Sequence, residues 1–146
     1  MIKTTHYLCT QEAPPGGGPV AGFKAGLELC TSDLVILIAT DMPFVMAVTP
    51  LLLNSLTVDD ESVMYVDAQE FAQPFAAVYR VSALQRAFRI LGEPQGKSMR
   101  ELLVHLKVHE IAIDAQSSNS LIDIDTAEDL ERAIAFLIPV KDNSPL

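Results

Sequence analysis

Apolar residues follow two rhythms along this chain: short runs suited to strands, and recurrences every three to four residues suited to helices. One unbroken run, Leu34-Val35-Ile36-Leu37-Ile38-Ala39, predicts a strand buried on both faces, the pattern of a parallel sheet covered by helices. It ends in Thr40 and Asp41, and Met42-Pro43 stops the pairing. In open α/β sheets ligands sit beyond the carboxyl ends of the strands, where Asp41 falls. An aspartate there also serves simply to cap a turn, so the run alone leaves both roles open.

Taking the chain from its start, Lys3 to Cys9 reads as a weak strand, and Gln11 to Pro19 as a loop carrying Gly16-Gly17-Gly18. Gly18-Pro19 suits a helix start, and Val20, Phe23, Leu27 and Cys30 at helical spacing carry a helix to about Cys30. A glycine loop opening a helix can present bare backbone N–H groups to a ligand, or it can be a plain connector. Thr49-Pro50 predicts a cap and first turn for a short helix through Leu56, and Asp59-Asp60-Glu61 a solvated acidic turn. Ser62 to Val66 and Gln73 to Tyr79 read as partner strands joined by a polar connection. Pro74, which cannot donate to a ladder, belongs at a strand start or an edge.

Val81, Leu84, Phe88 and Leu91 define the next helix, closed by Gly92-Glu93-Pro94. Met99, Leu102, Leu103 and Leu106 define another, with Ser98 as N-cap and Glu101 three residues on as in a capping box. Val108 to Asp114 reads as a strand and Ala115 to Ser120 as a polar loop. Thr126 then caps a last helix, with Asp129 at its third position and Leu130, Ile134 and Leu137 on one face. The expected organisation is one domain over residues 1–138 with a flexible tail over 139–146. Strands alternating with helices place it in the α/β class, as three layers.

Charge changes the picture next. A net charge of −9 argues against nucleic acid as a partner, because phosphate backbones need clustered Lys and Arg. Cys9 and Cys30 match no metal or redox spacing, and no apolar run reaches a membrane span, so a cytoplasmic protein with reduced thiols is expected. His105 and His109 are four apart but straddle a helix end and a strand, so they do not predict a metal site. The chemistry falls to Asp41, Asp123 and Asp125, each where a strand-like run meets a loop or helix start. Two such carboxylates could hold Mg²⁺ with a nucleotide, or Asp123 and Asp125 could merely cap the last helix.

Five segments occur in order: Gly18-Pro19-Val20-Ala21-Gly22, Asp41-Met42-Pro43, Gln73-Pro74-Phe75-Ala76-Ala77-Val78-Tyr79-Arg80, Lys97-Ser98-Met99-Arg100-Glu101-Leu102-Leu103, and Asp123-Ile124-Asp125-Thr126-Ala127-Glu128-Asp129-Leu130. Together they resemble the MobA-like nucleotidyltransferases, the molybdenum cofactor guanylyltransferase family, from about Glu12 to Phe136. The resemblance implies a three-layer α/β/α, Rossmann-like nucleotidyltransferase fold with a mostly parallel sheet. It implies transfer of GMP from GTP to the molybdopterin phosphate with Mg²⁺ as cofactor; the related cytidylyltransferases leave CTP as an alternative. Asp41 and Asp125 would then be the metal-binding and catalytic pair. Glu12, Gly18, Pro19, Gly22 and Asp41 would bind the nucleotide, and Gln73, Lys97, Arg100 and Asp123 the substrate.

One departure stands out. Members of the family open with a Leu-Ala-Gly-Gly phosphate loop, and nothing in Met1 to Gly17 matches it. The expectation is a fold without its N-terminal strand, loop and helix, and an impaired enzyme or a non-catalytic module that pairs with a complete transferase or a cofactor-handling protein. An exposed sheet edge, and with it self-association, should follow.

Overall fold

The computed structural model describes residues 7–67, 69–114, 118–121 and 123–137. Its elements in chain order are α1 (Pro19–Leu27), β1 (Leu34–Ile38), α2 (Thr49–Ser55), β2 (Ser62–Val66), β3 (Ala72–Arg80), α3 (Val81–Leu91), α4 (Met99–Leu103), β4 (Val108–Ala112) and α5 (Ala127–Leu137). Short 3-10 turns at Val45–Ala47 and Ser118–Leu121 complete them. The four strands form one sheet in the order β1-β3-β2-β4. β3 is antiparallel to β1 and β2, while β2 and β4 are parallel. Three strands therefore run in one direction, and the reversed one sits among them.

That reversal follows from a short connection. Residues 67–71 are too few for a crossover, so β2 and β3 must fold back as a hairpin. Asp67 closes it by accepting from the backbone N–H groups of Gln69 and Phe71, both at 2.9 Å. The β2–β3 register jumps between Met64, opposite Ala77, and Tyr65, opposite Gln73. Pro74 lies in this break, where its missing N–H costs no ladder bond, so a proline sits in an inner strand without contradiction. The irregularity brings Gln73 to the end of β1, next to Asp41.

Both faces of the sheet are covered, which gives the three layers. On one face Phe23 and Leu27 of α1, Leu84 and Phe88 of α3 and Leu102 of α4 pack on Met64, Ala77 and Tyr79. Phe23 meets Tyr79 at 5.4 Å and Phe88 edge-on at 5.9 Å between ring centroids. Burial pushes the Tyr79 phenol up, and its hydroxyl stays satisfied by donating to the Pro74 carbonyl at 2.8 Å. On the other face Val45, Val48 and Leu52 cover Val63, Tyr65 and Val78. Each fully buried Leu or Val contributes about 1.5–3 kcal/mol, so these two clusters hold the sheet between its helices.

Several expectations change. Tyr7 to Cys9 form no strand; Tyr7 and Leu8 are exposed and no neighbouring strand pairs with them, while Lys3 to His6 lie outside the described residues. The helix expected to reach Cys30 ends at Leu27, where the chain turns toward β1. β1 is not buried on both faces: it lies at the end of the sheet, and Ile36 and Ile38 are 37% and 40% exposed. An apolar run reports burial of its side chains but does not say how many strands flank it.

Thr49 does not cap its helix. The preceding 3-10 turn runs straight into α2, so Thr49 is already helical, is buried, and donates to the Val45 carbonyl at 3.1 Å. The Asp59–Glu61 turn is engaged rather than merely solvated. Arg86 donates to Glu61 at 2.7 Å, and Asp60 accepts from the Thr57 hydroxyl and contacts His109. The Ser98–Glu101 capping box forms as expected, and Thr126 and Asp129 cap α5 reciprocally. Ala115 to Ser117, and the tail expected over 139–146, lie outside the described residues.

Candidate functional site

β1 delivers Asp41 to the carboxyl end of the sheet. Ala39 still donates to Phe75 at 3.3 Å, and the chain then turns, with Met42 N–H reaching the Ala39 carbonyl at 3.4 Å. The Asp41 carbonyl accepts from the Ile124 N–H at 3.0 Å, which ties the late acidic segment to this turn across more than half the chain. Asp41, Asp123, Gln73 and Thr40 thereby line one cavity of about 400 Å³, with Leu37 and Phe75 as its apolar wall. Among the described residues no Lys or Arg lines it.

The charges in this cavity act on each other. Partial burial, then the neighbouring charges of Asp41, Asp125 and Asp129, push the Asp123 carboxyl above the ordinary aspartate range. Asp129 shifts the other way, because Thr126 donates to it and Arg132 pairs with it. Gln73 gives its amide nitrogen to Asp67 at 3.0 Å, which leaves the amide oxygen as the end it can offer a ligand. Asp67 is a residue that sequence reasoning treated only as part of a polar connection. The signal was there: an Asp at a hairpin turn six residues before a Gln on the returning strand.

All the polar groups of the cavity offer hard oxygen donors: two carboxylates, a hydroxyl and an amide carbonyl. Among the described residues no group of three or more His, Cys, Asp or Glu could hold a metal by itself. That donor set fits Mg²⁺, which keeps waters and substrate phosphates in its shell and needs only one or two protein carboxylates. It fits a bare phosphate poorly, since no described residue of the wall is positively charged.

Comparison with known proteins decides the family. The model of the MobA-like NTP transferase domain matches residues 2–110. The chain belongs to this family. It is similar to a protein of Natronomonas pharaonis described as a probable molybdenum cofactor guanylyltransferase, 31% identical over 125 residues, which are 82% of this chain and 60% of that protein. The chain thus spans less than two thirds of that relative. Among solved structures it resembles molybdopterin-guanine dinucleotide biosynthesis protein A from Archaeoglobus fulgidus, with a TM-score of 0.58 and 21% identity over 83% of this chain and 64% of that one. A 4-diphosphocytidyl-2C-methyl-D-erythritol synthase from Anaerococcus prevotii gives a TM-score of 0.55 and 16% identity over 82% of this chain and 66% of that one. At such identities these two likenesses show the fold, a Rossmann-like nucleotidyltransferase architecture.

Within this MobA-like domain the other expected site residues lie apart from the Asp41 cavity. Glu12 is occupied: its carboxylate accepts from Gly16 at 2.9 Å and Gly17 at 3.2 Å, and hydrogen bonds from its own backbone N–H and from Gly16 hold its pKa down. Two of the glycine loop's N–H groups are therefore already taken. The Gly17 carbonyl accepts from Gly96 at 2.8 Å, which straps the loop to the turn before α4. Gly18, at φ +88°, needs to be glycine to make its bend into Pro19. Pro19 and Gly22 line a groove of about 290 Å³ between α1 and β1, and Leu37 is common to this groove and the Asp41 cavity.

The two expected cations are elsewhere. Lys97 pairs with Glu101 at 3.0 Å beside the α4 cap. Arg100 lines a separate cavity with Glu70, Phe71 and Glu110. Asp125 sits near enough to Asp123 to act on it through charge, while Asp123 is the carboxylate that shares the Asp41 cavity. Among the described residues no helix is long and apolar enough to cross a membrane.

Proposed function

We propose that this chain carries the metal-anchoring half of a nucleotidyltransferase site that transfers GMP from GTP to the phosphate of molybdopterin. The carrying observation is the cavity in which Asp41 and Asp123 face one space, with no Lys or Arg among the described residues of its wall. A Mg²⁺ held by Asp41, with Asp123 and Asp125 completing or supporting its shell, would neutralise charge on the nucleotide phosphates. In the reaction an oxygen of the pterin phosphate attacks the α-phosphorus of the nucleotide. The bond between the α-phosphorus and its bridging oxygen breaks, and pyrophosphate leaves with the electron pair. The protein's own part is positioning. Asp41 anchors the phosphate end, the Gln73 amide is oriented beside it by the bond of its nitrogen to Asp67, and Pro19 and Gly22 open the adjoining groove to the rest of the nucleotide.

A second reading rests on the positions of the cations. Lys97 is paired with Glu101, and Arg100 opens into another cavity, so neither of these two cations would offset the triphosphate's charge beside Asp41. That supports slow or absent turnover by this chain on its own, and a role as a binding module beside a cofactor-handling partner or a second copy of itself. The family resemblance supports a cytoplasmic setting in either case. CTP is the alternative nucleotide in the same scheme.

Calorimetric titration with GTP and with CTP, each in the presence of Mg²⁺, tests the proposal. Heat from one nucleotide, lost without Mg²⁺ and lost in Asp41→Ala, is the expected result. No heat from either nucleotide would leave the non-catalytic reading.

A further inference from the structure

The hairpin turn between β2 and β3 is organised by Asp67, and every hydrogen-bonding group of that residue is used. Its N–H donates to the Phe71 carbonyl and its carbonyl accepts from the Glu70 N–H, both at 3.0 Å. Its Oδ1 accepts from the Gln69 and Phe71 N–H groups, both at 2.9 Å. Glu70 completes the turn at φ +63°, a region that residues with a side chain rarely enter, so the surrounding bonds hold the turn in this shape. The Asp67 Oδ2 faces away from the turn and accepts from the Gln73 Nε2 at 3.0 Å. The same nitrogen also donates to the Phe71 carbonyl at 3.4 Å. A carboxylate and a carbonyl can only accept, so they fix which end of the Gln73 amide is nitrogen. The oxygen is the end that remains for the cavity that Gln73 lines with Thr40, Asp41 and Asp123.

We infer, on the Mg²⁺ reading proposed above, that Asp67 is a positioning residue of this site. It holds the Gln73 amide with its oxygen free for the cavity, where that oxygen accepts from a water of the hydrated ion. Mg²⁺ loses its water reluctantly and keeps several waters when it binds to one or two carboxylates. Those waters donate outward, and Asp41, Asp123 and the Gln73 oxygen meet them as acceptors. An amide turned the other way would set its own N–H groups against the water hydrogens. Asp67 does not touch the ion in this scheme. It acts through Gln73, as groups that orient a metal's shell commonly do, and such groups typically change metal affinity by about 10–100-fold.

Asp67→Asn tests this, because it reverses the polarity while sparing the turn. The Gln69 and Phe71 N–H groups keep the oxygen of the new side chain, so its nitrogen takes the place of Oδ2. That nitrogen donates where the carboxylate accepted, and Gln73 answers with its oxygen, which turns its own nitrogen to the cavity. Calorimetric titration of the whole chain with MgCl2 should show a Kd weakened about tenfold or more. Gln73→Leu, which leaves the turn bonds of Asp67 in place, should weaken it to a similar degree. Combining Asp67→Asn with Gln73→Glu keeps the net charge of the parent. The new nitrogen then donates to one carboxylate oxygen and the other returns to the cavity, so Mg²⁺ affinity should recover. Glu70→Gln removes the same charge from the same turn and should leave the Kd unchanged. Amide NMR supplies a readout without metal: the Gln73 side-chain protons exchange slowly with water in the parent and fast in Asp67→Asn. Circular dichroism and melting in metal-free buffer establish that each variant folds. An unchanged Kd in Asp67→Asn, a loss matched by Glu70→Gln, or no recovery in the double variant overturns the inference and leaves the Asp41 reading standing. A parent chain that binds no Mg²⁺ overturns that reading, and the positioning role with it.

Discussion

The surroundings of Asp123 oppose its charge, and that gives a measurable sign. Its folded pKa lies above the unfolded value of 3.8, through partial burial and then the charges of Asp41, Asp125 and Asp129. Below 3.8 the carboxyl is protonated in both states and the fold loses nothing by it. Above the raised folded pKa the penalty is fully present. Asp123→Asn should therefore raise the melting temperature at pH 7, and the gain should fade to nothing as the pH is lowered past the aspartate range. A constant gain across pH would mean the charge is not its cause. The same variant should weaken Mg²⁺ binding, which separates stability from function at one residue. Gly17 gives the opposite kind of test. A Cβ there would run into the Gln95 side chain and come within 2.8 Å of the Ala21 Cβ, so Gly17→Ala should destabilise the loop that Glu12 and Gly96 hold. Thermal melts would register it, with a loss of about 1–3 kcal/mol.

At the scale of elements, the caps decide where short helices begin. α4 is only five residues, too short to form without help, and its start is fixed by Ser98 and Glu101 bonding each other's backbone. Hydrogen bonds from the Ser98 backbone, then from Lys97 and the Ser98 hydroxyl, hold Glu101 at a pKa of about 2, below its ordinary 4.5. Its contribution is full above pH 4.5 and is lost as the pH falls toward 2. Ser98→Ala should cost about 1 kcal/mol at neutral pH, with the difference from the parent chain shrinking in acid. Denaturant melts at both pH values check it. Caps such as these were legible in the sequence because their logic is local. So were the β2–β3 hairpin, from its short polar connection, and the α3 stripe, from its period. An exposed sheet edge was expected from the unmatched N-terminal loop, but that β1 forms it was not legible in its own residues, since Leu34–Ile38 reads alike whether one strand or two lie beside it. The site divides in the same way. Asp41 could be found because a strand's end is a local event. The separation of Lys97, Arg100 and Glu12 from it depends on where α4 and the glycine loop dock, which no spacing encodes.

For the whole molecule, net charge and the acidic cavity make two different demands on added cations, and they can be told apart. A chain with net charge −9 repels itself, so any salt that screens this repulsion should raise stability modestly. A site that binds Mg²⁺ in the folded state alone adds a further term that grows with the logarithm of metal concentration above its Kd. At matched ionic strength MgCl2 should therefore raise the melting temperature more than NaCl does. A tenfold rise in Mg²⁺ beyond saturation of the site should add about 1.4 kcal/mol at most. Asp41→Asn and Asp123→Asn each remove one charge from the cavity and should lose the Mg²⁺ excess while keeping the response to NaCl. Asp59→Asn, on a surface turn away from the cavity, removes the same charge and should keep both. Equal responses to the two salts in the parent chain would reduce the cavity to a patch of general acidity, and the Mg²⁺ role of Asp41 would go with it.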